Sequence, residues 1–301
     1  MKLVTYEQNG NLSLGLLADN ETDIIPLCAA ENHYYGKNTL PNCMQGLIEK
    51  SRECMGLVKE IAQKVRADNN FPLLTPREKV TLKAPIPRPK KNIFCVGLNY
   101  RQHYEEVNVG HPLPTIPVFF TKAPTTVIGP EENILSHSTV TKMLDYEVEL
   151  AIIIGQKGIN IQKENAFDYI FGYTIFNDFS ARDLQTTHLQ WFKGKSLDTF
   201  GPMGPCIVYK DSLPNPGSLD LSTKVNGEIR QSSNTSDLIF DIPTIINGLS
   251  EGLTLEPGDI IATGTPSGVG LGFKPHRFVK AGDEIELAIA GIGVLKNKIV
   301  E

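Results

Sequence analysis

Cysteine is scarce in this sequence and forms no recognisable pattern. The five cysteines among 301 residues show no Cys-x-x-Cys spacing, and their odd number favours free thiols in a reducing compartment over a disulfide framework. The N-terminus lacks the apolar core of a signal peptide, and no apolar run approaches the roughly 20 residues that span a bilayer. We therefore expect a cytoplasmic protein without membrane insertion.

Excess positive charge is also absent, which argues against a nucleic-acid surface. The formal net charge is −5, the calculated pI is about 5.8, and the basic cluster Arg88-Pro-Lys-Lys91 is short. The hydrophobic content of 41% and the charged content of 21% are typical of a soluble globular protein. We expect a small-molecule partner and no nucleic acid.

The N-terminal part of the chain predicts a small α+β domain. Lys2–Tyr6 and Leu12–Leu17 flank the turn residues Asn9-Gly-Asn11, which predicts a hairpin. Apolar residues at helical spacing predict one or two amphipathic helices over 42–66. The prolines that follow impose extended backbone. We place an N-terminal domain at 1–83, a proline-rich linker at 84–91 and a larger domain at 92–301.

The larger domain has the pattern of an α+β fold dominated by sheet. Short β-rich runs alternate with Gly, Pro and Asn turns, and only the region after Ala181 has a helical pattern of any length. This organisation favours α+β over a doubly wound fold.

Three acidic residues alternate directly before an apolar run in Asp145-Tyr-Glu-Val-Glu-Leu-Ala-Ile-Ile-Ile-Gly155. A strand must bury that run, and residues spaced by two share one face, so Glu147 and Glu149 point the same way and Asp145 can join them at the edge. Buried neighbouring carboxylates require a positive partner or a bound proton. The alternative is that this face is solvated and the acids are ordinary surface residues.

A second acidic segment strengthens the case for a metal site. Asp178 follows the β-rich run Phe171-Gly-Tyr-Thr-Ile-Phe176 and lies at an expected strand end. With Glu147 and Glu149 it forms an oxygen-only triad, which suits Mg²⁺ or Mn²⁺ and argues against Zn²⁺. Acids that follow a strand also cap helices, so the pattern alone leaves that alternative open.

Five ordered motifs between about Lys91 and the C-terminus resemble the fumarylacetoacetate hydrolase family. They are Asp145-Tyr-Glu-Val-Glu-Leu, Asn177-Asp-Phe-Ser-Ala-Arg-Asp, Gly194-Lys-Ser-Leu-Asp-Thr-Phe-Gly-Pro-Met-Gly-Pro205, Val225-Asn-Gly-Glu-Ile-Arg-Gln231 and Gly258-Asp-Ile-Ile-Ala-Thr-Gly-Thr-Pro-Ser-Gly-Val-Gly270. The resemblance implies a mixed β-sandwich or roll as the catalytic domain, a homodimer, and Mg²⁺ or Mn²⁺ at Glu147, Glu149 and Asp178.

The same resemblance implies roles for further residues. Lys195 matches the family's active-site lysine. Arg182 and Gln185 match residues that contact the substrate or order the site, and Thr265 resembles the residue that holds the substrate carboxylate. Lys122-Ala-Pro-Thr125 resembles a Lys-x-Pro-Ser element with Thr for Ser, which leaves the role of Lys122 undefined. Without the resemblance, Lys195 could be a solvated surface charge, and Arg182 with Gln185 could be a helix-surface pair.

The segment Asn99-Tyr-Arg-Gln-His-Tyr-Glu-Glu106 resembles the family element that closes over the ligand as a short helix. His103 and Glu106 lie three residues apart on one helical face, so Glu106 can orient the imidazole while His103 acts as the base. A surface pair is the alternative. The glycine-rich run Gly264–Gly272 lacks both the P-loop ending and the dinucleotide spacing, although its backbone N–H groups could bind a carboxylate.

Together with the resemblance to the family, these residues imply chemistry on a 2-oxo acid. A 2-oxo acid can chelate the metal through one carboxylate oxygen and its keto oxygen, so electrons from a bond broken at C3 collect as a metal-bound enolate. We expect cleavage of a carbon–carbon bond beside a pyruvyl group, by oxaloacetate decarboxylation or acylpyruvate hydrolysis. The alternatives are isomerisation of unsaturated oxo-diacids from aromatic catabolism and a non-catalytic metal-binding scaffold.

Overall fold

The computed structural model describes residues 1–107 and 112–301. Its strands are β1 Lys2–Gln8, β2 Asn11–Leu17, β3 Asp23–Pro26, β4 Thr75–Pro76, β5 Thr81–Lys83, β6 Ile93–Gly97, β7 Val118–Lys122, β8 Val127–Ile128, β9 Ile134–Leu135, β10 Leu144–Asp145, β11 Val148–Ile154, β12 Ile170–Asn177, β13 Ser180–Ala181, β14 Gly201–Tyr209, β15 Asp220–Val225, β16 Glu228–Asn234, β17 Ile260–Ala262, β18 Glu284–Ile289 and β19 Gly293–Val300. Its α-helices are α1 Leu27–Tyr35, α2 Met44–Glu49, α3 Ser51–Ala67, α4 Arg101–Val107, α5 Arg182–Thr187, α6 Phe192–Lys195 and α7 Ile242–Ser250.

The strands form one large sheet, one five-stranded sheet and one short two-stranded pair. The large sheet runs β4-β3-β2-β1-β14-β12-β11-β17-β6-β7, with β5 beside β1 and β8 beside β14. The five-stranded sheet has the order β16-β15-β18-β19-β9, and β10 pairs with β13. Most pairs are antiparallel. The expected sheet-rich α+β fold is confirmed.

The central strands β11 and β12 are buried along their whole length. Side chains alternate across a strand, so one strand supplies two separate cores. Leu150 and Ile152 pack with residues of the five-stranded sheet, such as Leu287, whereas Ala151 and Ile153 belong to the core under the N-terminal helices. This burial on both faces explains why the sequence of β11 is continuously apolar after Glu149.

The N-terminal elements follow the sequence prediction. Strands β1 and β2 pair through the Asn9-Gly10 turn as the expected hairpin, and helices α2 and α3 occupy the segment expected to contain one or two helices. Their buried side chains cover one face of the large sheet. Strand β1 also pairs with β14, so the N-terminal strands extend the sheet that contains β11. The domain boundary at 84–91 stays a prediction.

The helical content after Ala181 differs from the prediction. Helix α5 has only 6 residues, and the longest α-helix among the described residues beyond 92 is α7, with 9 residues. The pattern of α7 was missed because it is short and begins at Ile242-Pro243, although Asp241 caps it by accepting a bond from the Thr244 N–H at 2.9 Å. No helix in the described ranges combines the length and apolarity that crossing a membrane requires.

Candidate active site

The pairing of β11 with β12 brings the three predicted metal ligands together. Val148 lies opposite Asn177 in this antiparallel pair, which places Glu147 beside Asp178 at the same end of the sheet. The Asp178 N–H donates to the Glu147 carbonyl at 3.0 Å. One carboxylate oxygen from each of Glu147, Glu149 and Asp178 lies within 4.8 Å of the others, and all three residues are buried.

Two cationic side chains neutralise Glu147. Lys195 Nζ lies 2.7 Å from Glu147 Oε2 and 2.7 Å from Asp178 Oδ2. Arg182 Nη2 lies 2.7 Å from Glu147 Oε1, as an ion pair without hydrogen-bond alignment. Burial alone would raise the pKa of Glu147, but these two charges outweigh burial and lower that pKa to about 2. Glu147 is therefore a carboxylate at neutral pH.

Lys122 is a site residue whose role the sequence motif does not define. Its side chain is completely buried, and Nζ donates to Asp178 Oδ1 at 2.7 Å and to the Phe179 carbonyl at 2.9 Å. Burial lowers the pKa of Lys122, and the negative charge of Asp178 offsets only part of this effect. The match to a Lys-x-Pro-Ser element was the available signal, but the partner, 56 residues away, could not be identified from spacing.

Glu149 differs from the other two carboxylates because it forms no ion pair with the described residues. Its Oε2 accepts a bond from the Gly264 N–H at 2.8 Å. Burial, together with the charges of Asp178 and Glu147, raises the pKa of Glu149 well above its ordinary value. The negative charges close to Glu149 therefore outweigh the positive charge of Lys195. An all-oxygen donor set with uncompensated charge fits a hard divalent cation.

Asp145 does not belong to the cluster of carboxylates that could share a metal ion. Its Oδ2 accepts from Arg182 Nε at 2.9 Å and from the Leu271 N–H at 3.0 Å, and its Oδ1 accepts from the Gly270 N–H at 2.6 Å. Arg182 Nη1 also donates to Gln185 Oε1 at 3.0 Å. Asp145 therefore holds Arg182 and the glycine-rich run in place.

His103 and Glu106 meet as their spacing on α4 predicts. His103 Nδ1 lies 3.4 Å from Glu106 Oε2, a long contact, and His103 is buried. Both Glu106 oxygens also accept from the Gly268 N–H, at 3.1 and 3.2 Å. The helix is therefore attached to the glycine-rich run through the carboxylate that faces the imidazole.

The N–H groups of the glycine-rich run bind carboxylates of the protein itself. Gly264 donates to Glu149, Gly268 to Glu106, and Gly270 to Asp145. The sequence pattern is compatible with binding of an external carboxylate, but it does not reveal these internal partners because they lie far away in the chain. The run acts as a scaffold that fixes three acids of the site.

A cavity of about 400 Å³ opens over the triad. All nine predicted site residues except Glu106 line it, and Phe120, Leu189 and Trp191 contribute apolar walls. Ring centroids of Phe120 and Trp191 lie 5.2 Å apart in an edge-to-face contact. The arrangement places three carboxylates, the cationic side chains of Lys195 and Arg182 and a buried imidazole around one cavity, which suits proton transfer on a small ligand.

Gly268→Ala is expected to impair both stability and activity. Gly268 has φ +98°, and a Cβ there would lie 2.0 Å from the Arg230 carbonyl oxygen. The run must shift, which moves the N–H that holds Glu106, and misplacement by about 1 Å can lower turnover by roughly 10²-fold. Steady-state kinetics and thermal unfolding would measure the two effects.

Gly227→Ala is the matched control for that substitution. Gly227 has φ +82°, and a Cβ added there would meet no atom within 4 Å, so the control carries only the backbone strain of about 1–2 kcal/mol. We expect it to lower the unfolding temperature and to leave turnover unchanged. Equal turnover in the Gly268→Ala variant and the wild-type protein would contradict the scaffold role of the run.

Comparison with protein families matches residues 92–300 to the family described as Fumarylacetoacetate (FAA) hydrolase C-terminal. The chain is 46% identical over 301 residues to oxaloacetate tautomerase YisK of Bacillus subtilis, in an alignment that covers 99% of this chain and 100% of that protein. The similarity therefore extends through the N-terminal part.

Solved structures show the same fold. A fumarylacetoacetate hydrolase from Exiguobacterium antarcticum superposes with a TM-score of 0.81 at 38% identity, covering 100% of this chain and 99% of that one. A maleylpyruvate hydrolase from Sphingobium sp. SYK-6, solved with manganese(II) and pyruvate, superposes with a TM-score of 0.77 at 29% identity and the same coverage.

Proposed function

Because this chain belongs to the fumarylacetoacetate hydrolase family, we propose that it interconverts the keto and enol forms of oxaloacetate. The observation that carries this proposal is the full-length similarity to an oxaloacetate tautomerase at 46% identity. The buried carboxylate triad beneath the cavity supports it. Tautomerisation requires only that the site transfers protons and stabilises negative charge on one oxygen. No bond between heavy atoms has to break.

Glu147, Glu149 and Asp178 would hold the divalent cation, either Mg²⁺ or Mn²⁺. When bound, the cation would polarise the keto oxygen of the substrate and stabilise negative charge there. The manganese(II) and pyruvate in the solved maleylpyruvate hydrolase support this assignment. Lys195 pairs with both Glu147 and Asp178, and Lys122 pairs with Asp178, so both carboxylates are charged and available to a cation.

His103 is the proposed base. It would take a proton from C3 of the substrate, the C–H electron pair would become the C2=C3 double bond, and a proton would then add to the C2 oxygen. Glu106 lies beside Nδ1 of the imidazole and stabilises the protonated form of His103. Arg182, Gln185 and Thr265 would bind the substrate carboxylates from the cavity wall.

Carbon–carbon cleavage is the second candidate. Decarboxylation and acylpyruvate hydrolysis instead break the C3–C4 bond and release the enolate of pyruvate, whose negative charge also lies on the C2 oxygen, so the same residues serve these reactions. The similarity to a maleylpyruvate hydrolase favours this candidate. Isomerisation of unsaturated oxo-diacids would use the same proton transfer, and a 5-carboxymethyl-2-hydroxymuconate delta-isomerase from Mycobacterium smegmatis has a similar structure.

The test follows the decay of enol oxaloacetate by its ultraviolet absorbance, with pyruvate release measured in parallel. We expect enol loss to exceed pyruvate release in the presence of Mg²⁺ or Mn²⁺, and His103→Ala to lower the rate by roughly 10²- to 10⁴-fold. His33→Ala, at an exposed position on α1, is the matched control. Equal rates of enol loss and pyruvate release would contradict tautomerisation and favour decarboxylation as the function.

Faster cleavage of acetylpyruvate would favour the hydrolase, and Mn²⁺ binding without turnover of any substrate would favour the scaffold. A homodimer, a cytoplasmic location and the choice between Mg²⁺ and Mn²⁺ stay predictions. Light scattering of the purified protein at several concentrations would test the homodimer.

A further inference from the structure

Gln231 lies behind the cavity, at the end of a sequence motif that the proposed function does not use. Its side chain is completely buried, and it belongs to β16 of the five-stranded sheet. The amide oxygen accepts from the Val148 N–H at 3.1 Å and from the Thr223 hydroxyl at 2.7 Å. The amide nitrogen donates to Thr265 Oγ1 at 2.8 Å and to the Pro266 carbonyl at 2.9 Å.

Two of these partners fix the orientation of the amide. The Val148 N–H can only donate, so it must face the oxygen of Gln231, and the Pro266 carbonyl can only accept, so it must face the nitrogen. Rotating the amide by 180° would put donor against donor and acceptor against acceptor. The direction of the bond to Thr265 is thereby determined as well, with Gln231 as the donor.

This direction determines what the Thr265 hydroxyl offers to a ligand. Since Oγ1 accepts a bond from Gln231, the hydroxyl proton remains free to donate elsewhere, and Thr265 lines the cavity. A hydroxyl that donates suits the carboxylate of a 2-oxo acid, which can only accept when ionised.

We propose that Gln231 is a positioning residue that orients the Thr265 hydroxyl as a hydrogen-bond donor to the substrate carboxylate. This inference rests on the proposed binding of a 2-oxo acid in the cavity and names how its carboxylate is recognised. Gln231 also holds the strand between Glu147 and Glu149 through the Val148 N–H, so one amide connects the second sheet to both sides of the site.

Gln231→Glu tests the direction of the bond with almost no change of shape. A carboxylate at this position accepts from Thr265, which reverses the bond and takes the hydroxyl proton away from the cavity. A protonated carboxyl gives the same result, because its single proton is required by the Pro266 carbonyl. We expect pyruvate to bind the Mn²⁺-loaded variant roughly 10- to 100-fold more weakly, as befits loss of a hydrogen bond to a charged group.

The readout is the pyruvate dissociation constant from calorimetry, together with KM and kcat for oxaloacetate. KM should rise more than kcat falls, and Mn²⁺ affinity should stay near the wild-type value. In a Thr265→Val background, Gln231→Glu should cause no further loss of pyruvate affinity, because both changes remove the hydrogen bond from the Thr265 hydroxyl to the carboxylate. Additive losses, or wild-type pyruvate affinity in Gln231→Glu, would overturn the inference.

Thr223→Val is the matched control, since it removes a partner of the same amide on the side away from Thr265. It should lower the unfolding temperature and leave pyruvate affinity unchanged. If Gln231→Glu does not fold, Gln231→Met removes the amide at similar volume, and it should also weaken pyruvate binding. A wild-type protein that binds pyruvate but does not turn over oxaloacetate would refute the proposed function and leave this inference standing.

Discussion

Glu149→Gln is expected to weaken divalent-cation binding and to slow turnover strongly while the protein stays folded. The substitution removes one of the three clustered carboxylates and breaks no ion pair with the described residues. An amide oxygen can still accept the Gly264 N–H that Glu149 Oε2 accepts at 2.8 Å. Loss of a ligand should exceed the roughly 10- to 100-fold effect typical of an outer partner of a metal site.

The loss of turnover should be larger still. A bound cation supplies several kcal/mol of charge stabilisation, and each 1.36 kcal/mol is tenfold in rate, so the rate should fall by roughly 10³-fold. Calorimetry with Mn²⁺ and the enol-decay assay measure the two effects. Glu284→Gln, at an exposed carboxylate paired with Lys296, is the control. Wild-type Mn²⁺ affinity in Glu149→Gln would remove this residue from the metal site.

Lys122→Met is expected to lower the free energy of unfolding by about 3–5 kcal/mol, the usual cost of removing one partner of a buried ion pair. The variant leaves Asp178 Oδ1 without the ammonium that lies 2.7 Å away, in a place where neither side chain is exposed. It also leaves the Phe179 carbonyl without a donor. Denaturant unfolding of the metal-free protein measures the change.

Lys90→Met is the matched control for this substitution. Lys90 pairs with Glu49 at the surface, and 65% of its side chain is exposed, so solvent screens the pair and its loss should be close to undetectable. Similar unfolding curves for the two variants would show that the Lys122–Asp178 pair contributes little to the free energy of unfolding. Restored stability of Lys122→Met on adding Mn²⁺ is expected, since a cation at Asp178 replaces part of the lost positive charge.

The sequence was most informative where a local pattern determines the structure. The alternation of acidic residues before an apolar run predicted both the buried strand β11 and the common direction of Glu147 and Glu149. Asp178 was predicted at the end of the next strand, and the antiparallel pairing then brings it beside Glu147. Turn chemistry in the same way predicted the N-terminal hairpin.

The rest of the site depends on contacts between distant parts of the chain. Gly264 meets Glu149 across 115 positions, and Gln231 meets Val148 across 83. Neither distance leaves a periodic signal in the sequence. Lys122 and Gln231 are buried polar residues whose partners lie in distant segments of the chain, so their roles could not be predicted from spacing.

The choice among reactions is also beyond the sequence motifs. Tautomerisation, decarboxylation and hydrolysis each form an enolate with its negative charge on the C2 oxygen, so the residues that stabilise that charge are the same in each. The sequence motifs favour carbon–carbon cleavage, whereas the similarity to an oxaloacetate tautomerase favours proton transfer at C3. What separates the reactions is whether a bond to C3 other than C–H breaks.

Deuterium incorporation at C3 of oxaloacetate in D₂O tests proton transfer at this site most directly. Malate dehydrogenase and NADH would trap the substrate as malate for mass spectrometry, with the wild-type protein, a chelator-treated sample and the Glu149→Gln variant compared. We predict metal-dependent exchange that is faster than pyruvate release and lost in Glu149→Gln. Exchange at the protein-free rate with Mg²⁺ or Mn²⁺ present would contradict proton transfer at C3 as the function of the carboxylate triad.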